Sequence, residues 1–220
     1  MHMTIENDNL SFSDSMKFLG LYFDEDLRFR THISNINKIC YFKLKLLYRN
    51  KTLLSNVMKI RLCESLVISS MLYGSIIYYP CLDQESANRL QKIQNSCCRL
   101  ITGQKRYEHI TPSLNMLSWL KVKHLFSYHF LNFLVKILIM SSPPYLKNKL
   151  LFRTRIHSMP IRDTNMLAIP KHRTAMFQRS FSYQGPKQFN ALTPELKRNA
   201  LGDKHFNSIL KKHLLYLQRL

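Results

Sequence analysis

Apolar residues recur along most of this chain at intervals of three and four, the spacing of helices with one buried face. Ile33, Ile36, Cys40, Leu44 and Leu47 make the first stripe, just after Thr31, whose hydroxyl suits a helix N-cap. The pattern predicts a second helix from about Leu54 to Tyr78, with Val57, Ile60, Cys63, Val67, Met71 and Gly74 inside. Ser70 and Gly74 would let a neighbouring helix come close. A third helix is expected to start at the N-cap Asp83 and end near Thr102, where Gly103 stops it. Leu90, Ile93, Cys97 and Leu100 point inward from it. A fourth runs from about Val122 to Met140, closed by Pro143 and Pro144, and a last one from about Lys204 to Leu217. Residues 151–190 show no sustained period and read as irregular.

Ahead of the helices the pattern changes. Met16 to Asp24 is rich in aromatic residues and bounded by Ser and Asp. With Leu10 to Phe12 before it, it predicts a β-hairpin or strand pair. A lone hairpin is marginal in water, so this one needs a neighbour to pack on. The expected fold class is mainly α: a short N-terminal β-hairpin, a helical bundle, and a helical, partly irregular C-terminal region. The expected parts are 1–27 (an acidic hairpin), 28–103 (a basic three-helix bundle) and 104–220 (a helical connector and tail, irregular and basic at 151–190).

Composition narrows the class. At 220 residues and 45% apolar, the chain has enough apolar side chains for a core, which disordered sequences lack. Five cysteines, an odd number with no Cys-x-x-Cys, predict free thiols in a reducing, intracellular compartment. Adjacent Cys97 and Cys98 read as buried thiols rather than a disulfide. The polar, acidic stretch from Met1 to Ser13 has no basic, then apolar, signal pattern. Leu125 to Met140 is interrupted by His129, Asn132 and Lys136 and falls short of the roughly 20 residues that span a bilayer. It reads as a core helix.

Charge then points to a partner. The formal charge is +20, and a surplus of that size favours an anionic partner that offsets self-repulsion. Residues 1–27 hold Lys17 alone against Glu6, Asp8, Asp14, Asp24, Glu25 and Asp26, so the basic body begins abruptly at Arg28. Arg28 and Arg30 open it. Lys38, Lys45 and Arg49 then lie opposite the first apolar stripe, with Tyr41 and Tyr48 beside them, and no acid stands between Arg28 and Lys51. Phe42 and Leu46 sit near this basic face. Arg89, Lys92, Ser96 and Arg99 run one position ahead of the third helix's apolar stripe. Arg153, Arg155, Arg162, Lys171, Arg173 and Arg179 face only Asp163 in the irregular stretch. Lys and Arg neutralise phosphates and release counterions, and interleaved tyrosines stack on bases or sugars.

Catalytic chemistry has no comparable signal. Asp24, Glu25 and Asp26 are the densest carboxylates, but consecutive side chains of an extended segment diverge, so they read as a solvated turn. His and Cys never reach zinc-site spacing, and His124 and His129 are five apart rather than four. No Gly-rich phosphate loop or Gly-x-Ser-x-Gly elbow occurs. The residues therefore predict no catalytic site, no metal, no cofactor and no small-molecule substrate, with nucleic acid as the partner. A basic RNA-binding protein of the ribosomal kind is one alternative. A peripheral membrane protein using Leu125 to Met140 as its apolar face is another.

Several motifs taken together carry a resemblance. Lys17-Phe18-Leu19-Gly20, then Asp24-x-x-Leu27-x-Phe29-x-x-His32-Ile33, resembles the segment after the polymerase palm in non-LTR retrotransposon reverse transcriptases of the jockey-like group. Tyr73-Gly74 is similar to a Tyr-Gly in that family's second thumb helix. Leu90-x-x-x-Gln94 with Arg99-x-Ile101-x-Gly103 is similar to its next helix. Leu117-x-Trp119-Leu120 and Pro144-Tyr145-Leu146 are similar to its connector. Ile169-Pro170, Arg173-Thr174, Ser180-Phe181, Gly185-Pro186, Phe189-Asn190-x-Leu192-x-Pro194-x-Leu196-Lys197 and the run from Phe206 to Leu214 are similar to its tail. Phe189 stands where the family has Trp, and Thr193-Pro194 where it has Leu-Pro. No part of the chain is similar to the fingers, the palm or the aromatic-x-Asp-Asp motif.

The resemblance implies an RNA-directed DNA polymerase family, with Lys17, Phe18, Leu19 and Gly20 as a primer-grip-like strand and the basic helices as a thumb. It implies that the family's Mg²⁺ belongs to a site these residues do not supply, so this chain alone is expected to bind nucleic acid without polymerising. A truncated or degenerate element copy, or a mis-split gene, is the expected origin. The implied partners are primer–template or RNA, and a polymerase palm in trans; the implied location extends to the nucleus.

Overall fold

The computed structural model describes residues 3–5, 8–10, 13–155, 165–202 and 205–219. Phe12, Arg162, Asp163 and Lys204, which entered the sequence reading, lie outside them. The chain is mainly helical, with antiparallel hairpins at its N-terminal end.

Two hairpins stand where one strand pair was expected. β1 (Met3–Ile5) pairs with β2 (Asp8–Leu10), Met3 opposite Leu10. β3 (Ser15–Phe18) pairs with β4 (Leu21–Asp24), Phe18 opposite Leu21. The turn between β3 and β4 is only Leu19-Gly20, at φ +47° and +81°. A two-residue turn with both φ positive matches the twist of its strands. β3 therefore finds its partner immediately downstream, and Leu10 pairs with Met3 instead.

α1 (Arg30–Arg49) buries the predicted stripe Ile33, Ile36, Cys40, Leu44 and Leu47. Thr31 is not its cap. The chain turns through Leu27 and Phe29 at φ +50° and +57°, which brings the end of β4 over the helix start. The Asp24 carboxylate then accepts the Phe29 and Arg30 amides at 2.6 and 2.8 Å. Phe29 tolerates its left-handed backbone because its ring is buried against Phe23.

The single helix expected over 54–78 is a broken path. α2 (Asn56–Leu62), capped by Ser55, runs through a π-helical turn at Cys63–Ile68 into α3 (Ser69–Leu72). Tyr73 is extended and Gly74 left-handed, and α4 (Ser75–Tyr78) leads to a 3-10 turn at Tyr79–Cys81. The two halves bend by 47°. Cys63, Val67 and Met71 are buried as expected, but Val57 is 60% exposed. The π turn adds a residue to its turn and so rotates the face before it relative to the face after it.

α5 (Gln84–Thr102) starts and stops as predicted: Asp83 accepts the Ser86 amide at 2.8 Å, and Gly103 is left-handed at φ +73°. α6 (Thr111–Met116) precedes α7 (Val122–Met140). Beyond lie α8 (Pro144–Lys147), a 3-10 turn at Arg153–Arg155, α9 (Ala175–Gln178), α10 (Phe181–Asn190), α11 (Pro194–Gly202) and α12 (Phe206–Leu217). Part of the stretch expected to be irregular is thus helical. Gly185-Pro186 inside α10 hid it, since both residues normally break helices. There Gly185 lets α10 come so close to α7 that an added Cβ would sit 2.8 Å from Leu134.

Two apolar cores result. Leu21, Phe29, the inner faces of α1 and α5, Cys63, Val67, Met71 and Tyr78 form the first, which Val122 and Phe126 close. Leu131, Leu134, Val135 and Leu138 pack with Phe189, Leu196, Phe206, Leu210 and Leu214 in the second. α7 serves both, which is why it is apolar around most of its circumference.

Candidate nucleic-acid interface

α1 and α5 lie side by side and run in the same direction. Arg30 Nε is 3.6 Å from the Asp83 carboxylate at their starts, and the Tyr48 hydroxyl donates to the Ser96 carbonyl at 3.1 Å near their ends. Each helix brings one polar row to the seam: Ser34, Lys38, Tyr41, Lys45 and Tyr48 from α1; Arg89, Lys92, Ser96 and Arg99 from α5. Both rows follow the helical spacing of three and four that sets residues along one side.

The rows border a groove. One section, about 470 Å³, is lined by Ser34, Asn37, Lys38, Tyr41, Arg89 and Lys92. The next, about 390 Å³, is lined by Tyr22, Arg30, Thr31, Ser34, Asn35 and Lys38. Ser34 and Lys38 border both sections, which lie next to each other between β4 and the middle of α5. Arg30, Lys38, Tyr41, Arg89 and Lys92, chosen from sequence, line it together.

The remaining candidates are placed differently. Lys45 continues the α1 row and is exposed, while Arg49 lies in the last turn, where a cation favours the helix dipole. Tyr48 is tethered to Ser96, and partial burial raises its phenol pKa. Arg28 is half-buried in the turn before α1. Arg99 is engaged elsewhere: its guanidinium donates to the Lys105 and Arg106 carbonyls at 3.4 and 3.3 Å and ties down the loop after α5.

Charge along the groove is compensated in part. Arg89 pairs with Glu85 at 2.6 Å at exposed positions, where such pairs contribute about 0–1 kcal/mol, and Arg30 pairs with the half-buried Asp83. Among the described residues no carboxylate pairs with Lys38, Lys45, Arg49 or Lys92. Sequence reasoning missed Tyr22, Ser34, Asn35 and Asn37. Carrying the three-four row backward from Lys38 reaches Ser34; no local signal marks Tyr22.

Tyr22 connects the groove to the hairpin, because the Lys17 ammonium sits 5.5 Å from its ring centre. At the hairpin tip Phe18 is exposed and Leu19 is 74% exposed. The tip is nevertheless fixed. The Tyr73 hydroxyl donates to the Leu19 carbonyl at 2.7 Å, and a Cβ on Gly20 would lie 3.3 Å from the Tyr73 ring.

The Asp24 carboxylate and the buried thiols have structural places. Both Asp24 oxygens cap α1, while Glu25 and Asp26 are exposed in the turn. Among the described residues no three His, Cys, Asp or Glu side chains are grouped to hold a metal ion. His124 and His129 are half-buried, and burial lowers the pKa of both. Cys40, Cys63, Cys97 and Cys98 are buried free thiols, and burial raises Cys40 to about 11. Among the described helices none alone is long and apolar enough to cross a membrane. No family model, curated protein or solved structure matches the chain.

Proposed function

We propose that this chain is a thumb-and-tail part related to non-LTR retrotransposon reverse transcriptases, and that it grips nucleic acid through the phosphate backbone. The observation that carries the reading is the α1–α5 groove, where Arg30, Lys38, Arg89 and Lys92 converge with Tyr22 and Tyr41 beside them. Cations spaced along two parallel helices suit a strand whose charges repeat along its axis. Phosphate contacts of this kind position a duplex but carry little sequence information.

A second observation supports the resemblance. Lys17-Phe18-Leu19-Gly20 and Tyr73-Gly74, two of its motifs, meet in space at the Tyr73–Leu19 hydrogen bond. On this reading the hairpin tip lies next to a primer end, and the groove follows the duplex away from it. The reading assigns no nucleotidyl transfer to the chain. That reaction needs carboxylates to hold Mg²⁺ over primer and triphosphate, and Asp24 in the densest acidic run is already committed to helix amides.

The test is fluorescence anisotropy with labelled RNA–DNA and DNA duplexes of several sequences, titrated at increasing salt, alongside primer extension with the purified chain. Similar affinities across sequences, falling steeply with salt, and no extension are expected. Undetectable binding at about 50 mM salt, or binding indifferent to salt, contradicts the proposal. So does nucleotide incorporation.

A further inference from the structure

Tyr41 brings the one aromatic ring to the 470 Å³ section of the groove, where Lys38 flanks it on α1 and Arg89 and Lys92 line the α5 side. It is 45% exposed, and among the described residues it makes no hydrogen bond and no ring contact. The neighbouring tyrosines are committed: the Lys17 ammonium lies over the Tyr22 ring, and the Tyr48 hydroxyl donates to the Ser96 carbonyl. At Tyr41 the fold therefore presents an unengaged aromatic ring amid three cations.

The groove is also narrow. Its walls are two packed helices, tied together near both ends, and the axes of packed helices lie about 8–10 Å apart. A duplex, whose major groove alone is about 12 Å wide, rests on the rims of such a seam, whereas a single strand enters it. Inside a duplex each base is paired at its edge and stacked on both faces. An aromatic side chain can stack on a base only where the strand is unpaired. Rings set among cations hold single strands with little regard to sequence, because every base has a π face.

We propose that this section of the groove takes an unpaired stretch of a nucleic-acid strand, with one base stacked on Tyr41 and the adjoining phosphates at Lys38 and Lys92, which no described carboxylate pairs. The proposal rests on the reading of the groove as a nucleic-acid grip and adds which part of the ligand lies at Tyr41. A duplex on the rims and its unpaired overhang in the seam are then held together, and Tyr41 distinguishes strands by whether they are paired. An acidic peptide would meet the same cations but brings no base to the ring.

Fluorescence anisotropy at about 50 mM salt tests this with three labelled DNA ligands: a blunt duplex, the same duplex with a short single-stranded overhang, and that duplex with the overhang made abasic. The two overhangs carry equal charge, so only the bases distinguish them. The intact overhang should bind about tenfold more tightly than the abasic one. Tyr41→Ala should remove that difference, while Tyr41→Phe, which keeps the ring, should retain it. Tyr107→Ala, at an exposed tyrosine beside Lys105 and outside the groove, should retain it too. Equal affinity for intact and abasic overhangs overturns the proposal, and binding of the blunt duplex in the same experiment leaves the grip itself standing. A difference that survives Tyr41→Ala also overturns it, as does displacement of the intact overhang by poly-glutamate as readily as by an unlabelled single strand of equal charge. If none of the three ligands binds, the grip and the proposal both fail.

Discussion

The Tyr73 hydroxyl and the Leu19 carbonyl, 54 residues apart in sequence, are joined by a 2.7 Å hydrogen bond that pins the hairpin tip to the break between α3 and α4. Next to it, Leu21 packs so closely on Gly74 that an added Cβ would meet its side chain at 2.6 Å. The hairpin and the helix break thus stabilise one another.

Gly74→Ala separates this arrangement from a continuous helix. In a straight helix the change would stabilise by about 1 kcal/mol. Here Gly74 has φ +65° and no room, so a loss of about 1–3 kcal/mol is expected in urea unfolding. Tyr73→Phe, which removes only the hydroxyl, should cost about 1 kcal/mol.

Asp24 is the cap of α1, although it lies six residues before Arg30. Asp24→Ala should destabilise by about 0.5–2 kcal/mol, whereas Asp26→Ala, in the exposed turn, should be nearly neutral. Thr31→Ala, the substitution suggested by sequence, should also have little effect. Denaturant midpoints of the three variants check this.

Acid should weaken the fold through His32. Its ring is 4% exposed, packed among Tyr22, Phe29 and Tyr78, and neither nitrogen has a hydrogen-bond partner. Burial lowers its pKa, partly offset by the Asp24 charge. The unfolded chain takes up the proton near its ordinary pKa of 6.5, and the folded chain only at lower pH. Stability is therefore complete above about pH 7 and declines as the pH falls through that window, with His124 and His129 adding to the decline. His32→Leu should flatten the curve of unfolding free energy between about pH 7 and 5; an unchanged slope contradicts the assignment.

Much of this architecture was legible because local signals and tertiary packing agreed. Asp83 and Gly103 bound α5 where the caps predicted, and Pro143 and Pro144 follow the end of α7. The signals failed where packing overrode them. Gly74 reads as a small residue inside a helix, and only the hairpin pressing on it from 53 positions upstream makes it a break. Pro186 reads as a breaker, yet α10 continues through it because Gly185 seats the helix against Leu134. The groove was legible in Lys38, Tyr41, Arg89 and Lys92, since one helical period governs each row. Tyr22 was not, because its place depends on where the hairpin docks.

Arg99 tests whether a cation already tied to backbone carbonyls takes part in the proposed grip. Its guanidinium holds the Lys105 and Arg106 carbonyls. Arg99→Gln should lower thermal stability while leaving the salt dependence of duplex binding close to that of the parent chain.

The most direct measurement of the groove's role is the slope of log affinity against log salt for a DNA duplex, compared between the parent chain and the double variant Lys38→Gln/Lys92→Gln. Losing two phosphate contacts should reduce the magnitude of the slope by about 2 and weaken binding at low salt regardless of duplex sequence. The control Lys171→Gln/Arg173→Gln, with the same loss of charge at exposed positions between Leu167 and α9, should keep the parent slope. Equal slopes for the groove variant and the parent, or an equal reduction in the control, would contradict the account.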